Sequence, residues 1–410
     1  MSARARASQR VEFPGGAGHS LAARLDRPLF EPRGQAVFAH CFTCSKDIAA
    51  ASRIARALTE RGLAVLRFDF TGLGHSEGEF ANTDFSSNVE DLVRAADWLR
   101  DEVGPPQLLI GHSLGGAAVI AASARIPDAL ALVTLGAPAD PDHVRKLFAD
   151  QEAEIRQQGE AQVVLGGRPF RIRNEFLEDI AKQRIEQSLA GLRKALLVLH
   201  SPIDDMVGID NASRIFLAAR HPKSFVSLDD ADHLLTRPGD AAYAARVIAA
   251  WAERYLPEPA AAESEPRDVW VRESGSGRFQ QGIEVGPHQL IADEPPSVGG
   301  NDRGPTPYDL LLAGLGACTT MTLRMYADRK KLPLERVSVR LRHQKIHASD
   351  CADCETQGGR LDRIEREISL EGELDSAQQA RLLEIADRCP VHRTLESEVS
   401  IRTRLDTDAG

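Results

Sequence analysis

The sequence predicts a mostly parallel α/β sheet with helices on both faces, followed by a smaller α+β domain. Three observations carry this. Short apolar runs at residues 36–39, 64–69, 108–110, 129–135 and 195–200 alternate with helical patterns up to residue 256, as in a sheet buried on both faces. Residues 257–266, Pro-Glu-Pro-Ala-Ala-Ala-Glu-Ser-Glu-Pro, then break the periodicity with linker composition. Beyond them the pattern changes to alternating strands around one long apolar helix. A chain of 410 residues exceeds what one hydrophobic core serves, so the expected domains are 1–256 and 267–410, joined by the linker at 257–266.

In chain order, residues 10–29 read as a strand pair around Pro14-Gly-Gly-Ala-Gly18. Residues 36–39 form a buried strand that runs into His40-Cys-Phe-Thr-Cys-Ser45. Ile48, Ala51, Ile54, Ala55 and Leu58 have helical spacing, which Gly62 stops. A strand at 64–69, a Gly-rich loop at 70–78 and an amphipathic helix at 84–103 lead to Leu108-Leu-Ile-Gly-His-Ser-Leu-Gly-Gly116. The polar segment 140–192, with helical stretches at 144–158 and 174–189 and a turn at Gly166-Gly167, reads as a small insertion. A strand at 224–228 and a helix at 242–256 complete the first domain. In the second, 269–271 and 279–290 read as strands, 308–331 as a long helix, 337–343 and 364–370 as strands, 376–388 as a helix, and 399–401 as a closing strand.

Gly111-His-Ser-Leu-Gly115 follows an apolar strand and precedes the small-residue helix 117–122. A sharp strand-to-helix turn of this kind lifts a serine hydroxyl out of the sheet. The helix N-terminus adds a positive dipole end where an oxyanion would form. A serine hydroxyl needs a base, and the base needs an orienting acid. Asp204 and His233 follow in that order, each just past a strand. This half resembles the α/β-hydrolase family over residues 10–256. The resemblance implies Ser113 as nucleophile, Asp204 as acid with Asp205 the runner-up, and His233 as base. It assigns the oxyanion hole to the amides of Leu114 and Phe42, although the family's His-Gly is His40-Cys41 here. Asp69, His75 and His112 are expected to be structural, and the small charged insertion at 140–192 falls where the family inserts a cap.

The six cysteines are Cys41, Cys44, Cys318, Cys351, Cys354 and Cys389. The runs from Pro305 to Cys318 and from Asp387 to His392 resemble the two cysteine motifs of the OsmC/Ohr family, over residues 267–405. Members of that family reduce organic hydroperoxides and form intertwined dimers. The resemblance therefore implies Cys318 as attacking thiolate, Cys389 as resolving thiol, a thiol or dithiol reductant, and a homodimer through this domain. A thiolate attacking an O–O bond becomes a sulfenic acid, which the second thiol condenses to a disulfide. The family's activating arginine has Arg278 as its candidate here. Where peroxidase members carry Glu ten positions before the cysteine, this chain has Tyr308, followed by Asp309. Cys351-x-x-Cys354 with His347 fits either a zinc site, completed by Asp350 or Asp353, or a dithiol. Cys41-x-x-Cys44 reads as packing, with a disulfide as the alternative.

With 42% hydrophobic and 27% charged residues the composition is that of an ordinary globular protein. A net charge of −10 argues against general binding to nucleic acid or anionic membranes, and no apolar run approaches the roughly 20 residues of a span. Residues 1–10 are basic without an apolar core behind them, which predicts a frayed tail and a cytoplasmic protein. The expected substrates are a small acyl ester and an organic hydroperoxide. The hydrolase half needs no cofactor.

Overall fold

The computed structural model describes residues 8–41, 44–165, 168–257, 268–347 and 360–405. The expected turn at Gly166-Gly167 and residues 258–266 of the expected linker lie outside them. The chain divides into two compact units, Ser2–Glu263 and, with Met1, Ser264–Gly410.

The first unit opens with β1 (Ser8–Pro14) and β2 (Ser20–Asp26), paired antiparallel from Ser8↔Asp26 to Pro14↔Ser20. The expected tail at residues 1–10 is thereby corrected at its end: Ser8, Gln9 and Arg10 extend β1, because β2 is long enough to pair with them, while residues 1–7 lie outside the described residues. Then come β3 (Gly34–Ala39), α1 (Ala49–Thr59), β4 (Leu63–Phe68), α2 (Phe85–Glu102), β5 (Pro106–His112), α3 (Leu114–Ala122) and β6 (Ala131–Leu135). The Asp84 side chain accepts from the Ser87 N–H at 2.7 Å, and Ser87 Oγ from the Asp84 N–H at 2.9 Å, a capping box that starts α2.

The insertion is less helical than its pattern. Pro141–Gln151 is a 3₁₀ segment kinked at Phe148, and only Glu152–Gln158 is α-helix (α4). An antiparallel hairpin follows, β7 (Glu160–Leu165) and β8 (Arg168–Arg173), where the sequence pattern indicated no strands. The expected helix 174–189 is two helices, α5 (Asn174–Lys182) and α6 (Ile185–Gly191). The unit ends with β9 (Ala195–His200), α7 (Asp210–Ala218), β10 (Lys223–Ser227) and α8 (Pro238–Ala252).

The eight-stranded sheet has the order β1-β2-β4-β3-β5-β6-β9-β10, parallel from β4 to β10. Strand alternation sends side chains to two cores. Leu109 packs with Leu92, Leu99 and Val119 on one face, whereas Leu108 and Ile110 pack with Ile54, Leu58 and Ile248 on the other. Burial on both faces explains why these strands read as unbroken apolar runs.

The second unit holds a three-stranded sheet of β11 (Val269–Glu273), β12 (Gln281–Val285) and β13 (His288–Ala292). The helix α9 (Pro307–Lys330) follows, then a long hairpin of β14 (Leu334–His347) and β15 (Arg360–Gly372), then α10 (Ser376–Ala386) and α11 (Pro390–Glu396). Its small core gathers Leu323 of α9 with Leu382, Ile385 and Ala386 of α10. The expected strand at 399–401 is not formed. This stretch runs as irregular chain with Val399 and Ile401 exposed, having no ladder partner among the described residues. The helix α9 has the length and mean hydropathy of a membrane span, although Gly, Thr and Cys interrupt its apolar run.

Candidate functional site

Small residues force the turn that carries Ser113. A Cβ on Gly111 would run into the Gly115 carbonyl, and one on Gly115 into the carbonyls of Ala39 and His40. Backbones therefore approach at β5, α3 and the end of β3 as no larger side chain allows. Ser113 itself has φ +55° and ψ −125°, a conformation that costs a non-glycine residue about 1–3 kcal/mol. The turn is held by the Ser113 N–H donating to Leu135 O and the Gly116 N–H donating to Ser113 O, both at 2.8 Å.

The fold brings three of the expected residues together from loops 90 and more residues apart in places. Ser113 Oγ lies 3.1 Å from His233 Nε2, and His233 Nδ1 lies 2.8 Å from Asp204 Oδ2. With the imidazole neutral, Nδ1–H donates to the carboxylate and Nε2 accepts from the hydroxyl. Asp204 Oδ1 accepts from the amides of Met206 at 3.0 Å and Val207 at 2.8 Å. Burial by itself would raise the Asp204 carboxyl. The His233 hydrogen bond and the Val207 amide outweigh it, so the group is held below its usual range. No side-chain bond joins Asp205 to His233, so Asp204 occupies the acid's place. The Leu114 amide opens α3, while Phe42 lies outside the described residues.

Three buried histidines frame this array. His112 Nε2–H donates to the His233 carbonyl at 2.7 Å, and burial, then the neighbouring His233 charge, pushes His112 down to about 4. His200 Nε2–H donates to Val207 O at 2.7 Å, and burial lowers its pKa as well. His40 Nδ1–H donates to Cys41 O at 2.7 Å, and its pKa is also lowered by burial. Gly136, at φ +52°, packs so close that an added Cβ would sit 3.1 Å from Asp204 Oδ2 and 3.3 Å from His233 Nδ1. Neither this contact nor that of His112 is foreshadowed by the motif.

Asp69 organises the loops beside the site. Its carboxylate accepts from the Lys46 amide and ammonium, both at 2.6 Å, and from the His75 N–H at 2.9 Å. Cys41 and Cys44 form a disulfide, which corrects the packing expectation in favour of its alternative.

In the second unit Cys318 is half-buried and Cys389 buried, both as free thiols. Thr306 and Asp309 make a capping box: Thr306 Oγ1 accepts from the Asp309 N–H at 3.2 Å and the Asp309 carboxylate accepts from the Thr306 N–H at 2.9 Å. Tyr308 stacks on His343 at 4.3 Å between ring centroids. Thr319, next to Cys318, has its hydroxyl 3.6 Å from Cys389 Sγ. Arg366 donates to that hydroxyl at 2.9 Å and to the Asp387 carboxylate at 2.7 Å. Arg278 instead lies over the Phe279 ring at 5.0 Å, whereas the Arg366 guanidinium, which its place in a strand concealed, reaches Cys389 Sγ through the Thr319 hydroxyl. The His347 side chain, Asp350, Cys351, Asp353 and Cys354 lie outside the described residues. Among the described residues no group of three or more His, Cys, Asp and Glu side chains gathers as a metal ion requires.

Residues 31–158 match the family described as Serine aminopeptidase, S33, and residues 299–404 the family described as OsmC-like protein. The esterase domain of a Rhodothermus marinus protein is 50% identical, with 61% of this chain and 99% of that domain covered and a TM-score of 0.51. Est1E from Butyrivibrio proteoclasticus, 19% identical over 60% of this chain and 98% of its own, shares the fold with a TM-score of 0.50. The monoacylglycerol lipase of Mycolicibacterium smegmatis is 32% identical over 135 residues, which are 32% of this chain and 47% of the lipase. The chain spans about half the length of the curated relatives it matches.

Proposed function

The chain belongs to the α/β-hydrolase family through its N-terminal unit and carries an OsmC-like unit behind it, and on that premise we propose a bifunctional cytoplasmic enzyme: a serine esterase joined to a thiol-dependent reductase of organic hydroperoxides. The observation that carries the first half is the file of Ser113 Oγ, His233 and Asp204, spaced 3.1 and 2.8 Å. Ser113 attacks the acyl carbon as His233 Nε2 takes its proton. Asp204 holds the ring in the tautomer whose Nε2 is free and stabilises the imidazolium. The amides of Leu114 and Phe42 take the oxyanion. His233 then protonates the leaving alcohol, and water repeats the cycle on the acyl-enzyme. The 50% identity to an esterase domain supports an ester over the peptide bond that the matched family's description suggests.

In the second half, Cys318 attacks the peroxide oxygen, the alcohol leaves, and Cys389 condenses with the sulfenic acid to release water. An external dithiol restores both thiols. The pairing of Thr319 and Arg366 beside Cys389 supports a thiol kept in a polar setting. Tyr308, stacked on His343 in place of the peroxidase glutamate, favours the second reading, in which this unit only dimerises the chain.

A fluorophosphonate probe tests the first half: wild type should be labelled and hydrolyse short-chain p-nitrophenyl esters, and Ser113→Ala should do neither. Labelling that persists in Ser113→Ala ends the assignment. Cumene hydroperoxide consumption with dithiothreitol should vanish in Cys318→Ser with ester hydrolysis kept. No consumption by wild type leaves the dimerisation reading standing.

A further inference from the structure

Two cysteines with two residues between them have the spacing of exchanging dithiols, and Cys41 and Cys44 are joined in this structure, with Cα atoms 5.2 Å apart. Their place in the sheet gives the bond its interest. β3 lies beside β5 in parallel, with Ala39 opposite Gly111. Beyond that pair β3 runs on into His40 and Cys41 and β5 through His112 into Ser113, and the two ends meet at the Gly115 turn. The contact is made at backbone level, since the Ala39 and His40 carbonyls occupy the space that a side chain on Gly115 would need.

Both ends of the small ring are tied down. Cys41 O accepts from the Cys44 N–H at 3.1 Å and from His40 Nδ1–H at 2.7 Å. Two residues past Cys44, the Lys46 amide and ammonium bind the buried Asp69 carboxylate, and the Arg67 guanidinium donates to the Lys46 carbonyl. The disulfide therefore adds a covalent tie between Cys41 and Cys44, whose flanks are held by these bonds. In sequence that stretch encloses the amide of residue 42, one of the two donors in the reading above. Cys41 is buried and Cys44 partly exposed, so Cys44 is the sulfur that an exchanging reagent meets first.

We infer that Cys41–Cys44 is a reversible redox site that sets the rate of acyl transfer at Ser113, with the disulfide as the fast form. The inference rests on the esterase reading. Oxidation uses an organic hydroperoxide. The Cys44 thiolate attacks the terminal peroxide oxygen, the O–O bond breaks, and the alkoxide takes a proton and leaves as alcohol. The Cys41 thiol then attacks the Cys44 sulfenic acid, forming the S–S bond and expelling water. Two thiols thus lose two electrons to one peroxide. A small dithiol reverses this by two exchanges and leaves as its own disulfide. Opening the ring releases the tie between Cys41 and Cys44, between which, in the esterase reading, one oxyanion donor lies in sequence. Complete loss of such a donor costs roughly 100- to 1000-fold in kcat, so partial disorder should cost at least about tenfold.

The test uses the full chain carrying Cys318→Ser, Cys351→Ser, Cys354→Ser and Cys389→Ser, poised between oxidised and reduced dithiothreitol and trapped with iodoacetamide. Peptide mapping follows the 41–44 bond, and p-nitrophenyl butyrate follows turnover. Hydrolysis should fall at least about tenfold as the bond opens, return on treatment with cumene hydroperoxide, and stay low and insensitive to poise in Cys44→Ser. If the fourfold background misfolds, the same mapping and assay on wild type decide the matter. A bond that opens with turnover unchanged overturns the proposal, as does a bond absent at every poise or a rate that still titrates in Cys44→Ser. Failure of the esterase reading looks different: Ser113 then takes no fluorophosphonate in either state.

Discussion

Ser113 sits in a strained conformation that only its surroundings explain. Gly111 and Gly115 let the backbones close in, and two 2.8 Å hydrogen bonds lock the turn. That much was legible in the sequence, because Gly-x-Ser-x-Gly between an apolar strand and a small-residue helix has few other uses. The contacts of Gly136 and His112 were not legible, since each exists only where distant segments meet. Gly136→Ala places a methyl against both Asp204 and His233 at a φ that disfavours it, so kcat for ester hydrolysis should fall about 10- to 100-fold with KM little changed, as steady-state kinetics would show. A second expectation concerns stability. Burial holds His112 down at about 4 in the folded protein against the ordinary 6.5, so between those values the unfolded chain binds a proton that the native state refuses. Its contribution is whole above pH 6.5 and is lost as pH falls towards 4, by about 3 kcal/mol if fully expressed. His112→Gln keeps a donor for the His233 carbonyl and removes that titration. Its urea midpoint should therefore fall less than that of wild type between pH 7 and pH 4.5, and parallel declines would refute the account.

Elements with strong ends or clean alternation were readable, and those that depend on neighbours were not. The helix α9 announces itself through Thr306, Pro307 and Asp309, which together cap its first turn. Replacing Thr306 with Ala removes the oxygen that accepts from the Asp309 N–H and should destabilise the protein by about 1 kcal/mol in a urea titration followed by circular dichroism, with Thr306→Ser restoring most of it. The strands β14 and β15 extend well past the segments 337–343 and 364–370, because charged residues mask their alternation. Arg340 faces Glu367 and Arg342 faces Glu365 across the ladder, so polar pairs occupy positions where an apolar period was sought. The hairpin β7–β8 escaped for a similar reason. Its outward residues are Gln162, Val164 and Arg171, while Ala161, Val163, Leu165 and Ile172 reach the core and Phe170 packs against it. Residues 399–401 show the converse, where an apolar pattern alone supplies no partner strand.

For the whole chain, two folds in tandem follow from the break in periodicity near residue 260, while the number of copies does not, because it depends on what a surface leaves uncovered. The helix α9 leaves much uncovered. Leu311, Gly314, Cys318, Met321 and Met325 recur at spacings of three and four and so form one stripe. All but the half-buried Cys318 are exposed, Met321 at 64% and Met325 at 72%. An apolar stripe with a glycine in it suits close helix–helix packing, and Cys318 at its centre means that whatever covers the stripe also sets the surroundings of that thiol. A second copy of the same chain supplies the matching surface by symmetry. The expectation is a dimer at micromolar concentration in sedimentation velocity, reduced to monomer by Met321→Glu with Met325→Glu. The same double variant should lose hydroperoxide consumption while keeping fluorophosphonate labelling of Ser113. Wild type that sediments as a monomer and instead pellets with phosphatidylcholine vesicles would assign the stripe to a membrane, the other use to which a helix of this length and hydropathy is suited.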